Sequence, residues 1–412
     1  MINLKSHKIK STLLAGVLLT GTAAAVGFYP QSKSLQPQVT PPAQPIALQP
    51  INTVQAANSE QAKVEVVFVL DTTSSMSGLI NAAKNNIWSI ANSMANAQPA
   101  PQMHMGLVAF RDRGDAYVTK VLDLSQDLDS MYASLMDFKA QGGGDGPESV
   151  NAALYDAVHS ISWSQDESYK VIFLVGDAPP HMDYADDVKY PTIIKQAQQK
   201  GIVVNSIQAG TSGDTKKVWQ HIASLNQGAF FQVEQGGNAV AVTTPFDEKL
   251  AALSRQLDQT RLFYGSEDQR KKMEAKTQAA QKLAAAAPAS VQAKRAEYNR
   301  SDAGAKNLFA ESELIEDMAA GKVALDSIAE AELPKPMLSM SKKDQAAFVE
   351  KTSQERKRLK QEIEQLAEQR QSYIKEQLED KEVDESLDGQ IYQAVREQAK
   401  TKGLNYADRP VF

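Results

Sequence analysis

The sequence predicts an α/β domain, a doubly wound and mostly parallel sheet with helices on both faces. An N-terminal export segment and linker precede it and an α-helical region follows it. Three observations carry this reading. Between Lys63 and Val233, short apolar and β-branched runs alternate with stretches of helical periodicity, the pattern of repeated βαβ units. From Asp247 onward the β-branched residues thin out, and Ala, Gln, Glu, Lys and Arg dominate. At 412 residues the chain exceeds one ordinary hydrophobic core, so more than one unit is expected.

The chain begins with Lys5, Lys8 and Lys10, then an apolar run from Leu13 to Gly21 and the small residues Thr22-Ala23-Ala24-Ala25. That is the layout of a secretory signal. Extended through Phe28-Tyr29, the run also approaches the roughly 20 residues that span a bilayer. Residues 1–29 therefore read as a signal peptide or an N-terminal membrane anchor. Both place the rest of the chain outside the cytoplasm, and membrane contact is expected only if this segment is retained. Residues 30–62 are rich in Pro and Gln, with Pro41-Pro42-Ala43-Gln44-Pro45 at their centre, and read as an extended linker. The chain has no cysteine, which removes disulfides, thiolate zinc sites and cysteine nucleophiles. An exported chain of this kind fits the periplasm, or the outer face of the inner membrane, of a bacterium. A net charge of −6 argues against a nucleic-acid binder.

Residues 63–246 hold the alternating pattern. Val64–Asp71 is apolar enough for a strand buried on both faces. Leu79, Ile80, Ala83, Ile87, Ile90 and Met94 recur at helical spacing over Ser77–Ala95. Strands are predicted over Met103–Phe110, Tyr117–Leu122, Val171–Gly176, Ile202–Gln208 and Ala229–Val233. Helices are predicted over Leu128–Phe138, through Val150 to Ile161, and over Tyr190–Gln199 and Thr215–Leu225. In residues 247–412, helices are predicted over Glu248–Leu262, Gln269–Ala286, Asp344–Leu378 and Ser386–Lys400. The long one carries a partial stripe of Phe348, Leu359, Ile363, Leu366, Tyr373 and Leu378, interrupted by Arg356, Arg370 and Gln377. Those interruptions favour packing on a neighbour over a dimeric coiled coil.

Three segments carry chemistry: Asp71-Thr72-Thr73-Ser74-Ser75, Gly142-Gly143-Gly144-Asp145-Gly146-Pro147-Glu148 and Gly176-Asp177-Ala178-Pro179-Pro180. Each lies at a strand end or in an adjoining loop. In a parallel sheet the carboxyl ends of the strands open on one crevice, so such segments converge. Asp71 and Asp177 end the two most apolar strands, which should be central and adjacent. Carboxylates with serine and threonine oxygens form the donor set of a hard, octahedral cation, and the glycines allow close approach. The competing reading of Asp71 to Ser75 is a helix cap. Ser74 and Ser75 have no histidine partner at motif spacing, and no catalytic residue is assigned.

On these residues, the stretch from about 63 to 245 resembles a von Willebrand factor type A domain with a metal-ion-dependent adhesion site. Asp71, Thr73 and Ser75 match its D-x-S-x-S motif, with threonine keeping the middle hydroxyl. The resemblance maps the aspartate of the fourth-strand loop onto Asp177. Where the family usually supplies a threonine, this chain offers Asp145. The resemblance implies Mg²⁺, with Ca²⁺ or Mn²⁺ as alternatives, held by Asp71, Thr73, Ser75, Asp145 and Asp177. It also implies a last helix, here roughly Phe246–Leu262, able to couple the site to the helical region.

Candidate rim residues are Glu148, His181 and Arg111. Arg111-Asp112-Arg113-Gly114-Asp115 should be an exposed turn whose charges pair locally, and His181 a residue that packs its loop. The functional expectation is a metal-dependent, adhesion-like binding module whose partner is a protein or envelope ligand presenting a carboxylate. The alternatives are an envelope assembly factor working through its helical region, and a metal-assisted hydrolase.

Overall fold

The computed structural model describes residues 62–144, 146–236, 242–378 and 385–409. The export segment, the linker up to residue 61 and Asp145 lie outside them. Six strands form one sheet in the order β3-β2-β1-β4-β5-β6: β1 (Lys63–Asp71), β2 (Gln102–Phe110), β3 (Thr119–Ser125), β4 (Tyr169–Gly176), β5 (Ile202–Ala209) and β6 (Phe230–Val233). All neighbours run parallel except β3, which pairs antiparallel with β2 along the edge. The two strands with the longest apolar runs, β1 and β4, lie side by side at the centre, in the register Leu70↔Val175. That register brings the chain ends after Asp71 and Gly176 to the same edge. At Gly176 a Cβ would lie 3.1 Å from both Asp71 Cβ and the Trp219 ring, so glycine there lets the two strand ends close together.

Side chains alternate between two cores. Val67, Val69, Ile172 and Leu174 point to one face, covered by α3 (Val150–His159), α4 (Tyr190–Gln199) and α5 (Gly213–Ser224). Val64, Val66, Leu70, Val171 and Phe173 point to the other, against α1 (Ser77–Ala95) and α2 (Leu128–Asp137). Every interior strand and helix predicted from periodicity is present. β3 begins two residues later than expected, because Tyr117 is used as a loop residue beside the crevice.

The helical region contains α6 (Asp247–Gln259), α7 (Glu267–Ala286), α8 (Ala289–Tyr298), α9 (Asp302–Phe309), α10 (Leu314–Ala319), α11 (Lys342–Gln377) and α12 (Leu387–Ala399). Asn58–Phe412 forms one compact unit, and the composition change near 247 is not a break in the core. Leu283 of α7, Val291 and Tyr298 of α8, and Leu387, Ile391 and Val395 of α12 enter the same cluster as Val64 and Phe173.

Two features of the helical region stand out. The helix following the sheet, α6, does not cover the sheet. Its Leu250, Leu253 and Leu257 pack with Ala293 and Ala296 of α8 and with Leu359 and Ile363 of α11. The sheet face beside α1 is instead closed by α12, whose Gln398 exchanges hydrogen bonds with Asn205 of β5 and accepts one from Tyr169 of β4. Secondly, Arg356 and Arg370 do not interrupt a packing face but belong to it. Arg356 is paired with Glu313 at 2.7 Å, and Arg370 with Asp247 and Glu297 at 2.9 Å. The long helix thus packs within its own chain, on α6 and α8. Among the described residues no helix is long and apolar enough to cross a membrane.

Candidate metal centre

Asp71 is the last residue of β1 and is almost fully buried. The next residues turn into a short 3₁₀ segment ahead of α1. That turn aims the Thr73 N–H and hydroxyl at Asp71 Oδ1, at 2.8 and 2.7 Å, and places Ser75 Oγ 3.3 Å from Thr73 Oγ1. The Asx turn accounts for one carboxylate oxygen only. Asp71 Oδ2 is buried without a hydrogen-bond partner. Burial, reinforced by the charge of Asp177, pushes the Asp71 carboxyl up to about 7 against the pull of the Thr73 bonds.

Asp177 sits one residue beyond β4, and its carbonyl accepts from Thr215 Oγ1 at 3.1 Å. Gln235, just after β6, donates its amide to Asp177 Oδ2 at 2.7 Å and to Ser75 O at 3.1 Å. The glycine-rich loop is pinned to the first motif by Ser74 N–H and Oγ, which donate to Gly142 O at 3.2 and 2.8 Å. Gly142 and Gly143 both have φ near +80°, a region that favours glycine. A Cβ on Gly143 would lie 3.1 Å from Glu148 Oε1 and 3.2 Å from Thr73 Cβ.

Glu148 is buried, and its Oε2 also lacks a hydrogen-bond partner. Burial pushes it up to about 9, and the charges of Asp71, Asp112, Asp115 and Asp177 add to the effect. One crevice at the carboxyl edge of β1 and β4 therefore holds several carboxylates, hydroxyls, and two buried carboxylate oxygens without a hydrogen bond of normal geometry among the described residues. Orphaned buried acceptors of this kind are costly unless a proton or a cation meets them. The residues fit a hard divalent ion: Asp71, Asp177 and the hydroxyls of Thr73 and Ser75 would hold it, and its charge would neutralise the crevice. Among the described residues no three carboxylate or imidazole side chains gather closely enough to hold an ion unaided, so the hydroxyls would be needed.

None of the three candidate rim residues is exposed. Glu148 lies inside the crevice. Arg111 is buried because β2 runs straight into it. Its Nη2 donates to Lys139 O at 2.7 Å, and its guanidinium lies over the Tyr117 ring. His181 is locked in its loop, stacked on Tyr184, with Nδ1 at 2.8 Å from Asp183 and Nε2 at 3.4 Å from Asp112. The Arg111–Asp115 stretch is not a solvated turn either. Asp112 is buried and accepts from Ser149 and Tyr184, and exposed Arg113 pairs with the distant Asp186 and Asp187. Asp115 Oδ2 accepts from Gly143 N–H at 3.0 Å and so braces the glycine loop. Sequence reasoning missed the bracing role of Asp115 and the contact of Gln235. The position of Asp115 after the strand beside β1 was a usable signal. Gln235 offered none.

Residues 65–243 match the family model described as the von Willebrand factor A domain. The chain carries a von Willebrand factor A domain. Domains of this family generally mediate protein–protein interaction or adhesion, and often bind a divalent metal at the adhesion-site motif. Similar solved structures include proximal thread matrix protein 1 from the mussel byssus, at 18% identity over 42% of each chain with a TM-score of 0.32. The same mussel protein with a zinc-occupied motif matches at 19% identity over 42% of each chain, with a TM-score of 0.34. The pilus adhesin SpaC from Lactobacillus rhamnosus GG matches at 14% identity over 42% of this chain and 28% of that one, with a TM-score of 0.31. The alignment spans 42% of the mussel protein's length. A comparison with curated proteins finds no match.

Proposed function

We propose that the von Willebrand factor A domain of this chain binds a protein or cell-envelope ligand through a divalent cation. Asp71, Thr73, Ser75 and Asp177 hold the ion, and Asp145, which lies outside the described residues, stands in the same loop as Glu148. Mg²⁺ is the first choice, because a carboxylate and hydroxyl set without nitrogen or sulfur suits a hard ion. The ion's open position takes an acidic group from the partner. The domain works outside the cytoplasm of a bacterium, delivered by the N-terminal export segment.

The observation that carries this reading is the pair of buried oxygens, Asp71 Oδ2 and Glu148 Oε2, that make no hydrogen bond among the described residues. A helix cap would use Asp71 Oδ1 and leave no reason to bury Oδ2 unpaired. The test is calorimetric titration of the full chain with Mg²⁺, wild type beside Asp71→Ala, followed by capture from envelope extract with and without EDTA. Saturable Mg²⁺ binding that Asp71→Ala abolishes, with one partner lost on both chelation and mutation, supports the reading. Equal Mg²⁺ behaviour of the two proteins removes it. The helical region cannot be tested alone as a scaffold, because α7, α8 and α12 complete the core of the sheet domain.

A further inference from the structure

Helix α8 carries a lysine where a lysine is costly. Lys294 is buried, and its direct partners are an amide and a main-chain carbonyl of α1 rather than a carboxylate. Its Nζ donates to Asn86 Oδ1 at 2.8 Å and to Asn85 O at 3.4 Å. Asn86 is fully buried too, and its Nδ2 makes no hydrogen bond of normal geometry among the described residues. The two helices are fixed around this contact. One turn along α8, the Tyr298 ring packs on Trp88 of α1 with centroids 5.7 Å apart, and the adjoining Arg295 is held between Asp129 and Asp258. Amine and amide are thus kept together, oriented and out of water, which is what a reaction between them requires. A third group belongs to the same interior. Asp388 of α12 is buried, and neither of its carboxylate oxygens makes a hydrogen bond of normal geometry among the described residues. Burial lowers Lys294 to about 8 and raises Asp388, and each is the chief charge opposing that shift in the other. Glu297 and Asp247 also hold Lys294 up, and Arg370 pulls it down. Burial therefore drives the lysine toward a neutral, nucleophilic amine and the aspartate toward a neutral acid, the two forms that acyl transfer uses.

We propose that Lys294 and Asn86 become joined by an amide bond, a covalent link that the folded chain makes in itself. The Lys294 amine attacks Asn86 Cγ and forms the new C–N bond. The bond from Cγ to Nδ2 breaks, and Nδ2 leaves as ammonia with the proton that the amine gives up, relayed by Asp388. No oxidant, reductant or further reactant is needed. A neutral donor at position 294 would make the same hydrogen bond to Asn86 without the cost of burying an ammonium, so the hydrogen bond alone does not account for a lysine there. The link ties α8 of the helical region to α1 of the sheet domain, 208 positions away in sequence. Closing so long a loop restricts the unfolded chain as a disulfide would, in a chain that has no cysteine to form one.

The test is peptide mass spectrometry of the purified full chain after digestion with trypsin. The expected product joins the peptide that holds Asn86 to the peptide that holds Lys294. It is lighter than the two together by one ammonia and is uncut after Lys294. Lys294→Met should yield no such product. Asp388→Asn keeps the shape of the side chain and removes the acid; with its fold confirmed by circular dichroism, it should contain several-fold less of the linked product than wild type. Folded wild type that yields the two peptides only separately, at full mass, overturns the proposal. A link that persists in Lys294→Met overturns it as well, since another amine would then be joined. A full yield of linked product in folded Asp388→Asn overturns the part given to Asp388.

Discussion

Replacing Arg295 by methionine should strip out the fastening between the sheet domain and the helical region. Arg295 lies on α8 and its side chain is 2% exposed. Its Nε and Nη2 donate to Asp129 of α2 at 2.6 Å each, and Nη1 and Nη2 reach Asp258 of α6 at 2.9 Å. Asp129 is completely buried, and without Arg295 it keeps Lys276, with Nζ 3.9 Å away, and the charge of Arg261. Removing one partner of a buried pair costs about 3–5 kcal/mol, and here two carboxylates lose the same cation, so the upper half of that range is expected. With a urea slope of about 3 kcal/mol/M, the midpoint should fall by about 1–2 M.

The pH dependence gives a second reading. Burial alone would raise Asp129, but the charge and hydrogen bonds of Arg295 outweigh it and hold the carboxyl well below its usual value of 3.8. A depressed folded value stabilises above the unfolded one and is lost as pH falls. Wild type should therefore lose stability as pH drops below about 4, and Arg295→Met should lose less over that range. Urea melts followed by circular dichroism and by the fluorescence of Trp88, Trp163 and Trp219 test this. All three tryptophans lie before residue 247, whereas helix signal comes from both regions. A loss below about 1 kcal/mol, or a variant that keeps the wild-type acid sensitivity, would refute the reasoning.

Four further outcomes are expected. Mg²⁺ at a hundred times its dissociation constant should stabilise wild type by about 2.7 kcal/mol over EDTA, and Asp71→Ala should lose that gain in a thermal melt. Gln235→Ala should tighten ion binding about fivefold in calorimetry, because it frees Asp177 Oδ2 from one exposed hydrogen bond of ~1 kcal/mol; weaker binding would mean that Gln235 shapes the loop instead. Gly143→Ala should cost about 1–2 kcal/mol for its φ of +78° and also weaken the ion, since the new Cβ meets Glu148 and Thr73. Ile391→Ala on α12 should cost about 2–5 kcal/mol in urea, whereas an appended tail would give a change below about 0.5 kcal/mol.

Much of the candidate site was legible because its pieces are local. An acid after a buried strand, hydroxyls at alternate positions and a run of glycines are each visible within a few residues. The adjacency of Asp71 and Asp177 followed from the apolar runs of β1 and β4, which only central strands carry. Glu148 was visible but misplaced at the rim, since nothing local says that its backbone bonds to Pro179 and His181 turn it inward. Arg111 was misplaced for the opposite reason. A charged residue after a strand reads as exposed until a partner such as Tyr117 is known to cover it.

The sequence by itself determined the order of strands and helices from Lys63 to Val233, because periodicity of two or of 3.6 residues is written into each segment separately. Only the tertiary structure decided what the helical region does. Helix α8 escaped detection because Lys294, Arg295 and Glu297, which break an apolar pattern, are buried in it. The seat of α12 on the sheet, and the exclusion of α6 from it, depend on pairings such as Tyr169 with Gln398, 229 residues apart. A charged or amide side chain reads as a solvated surface until its partner is in view, and here the partners come from distant parts of the chain.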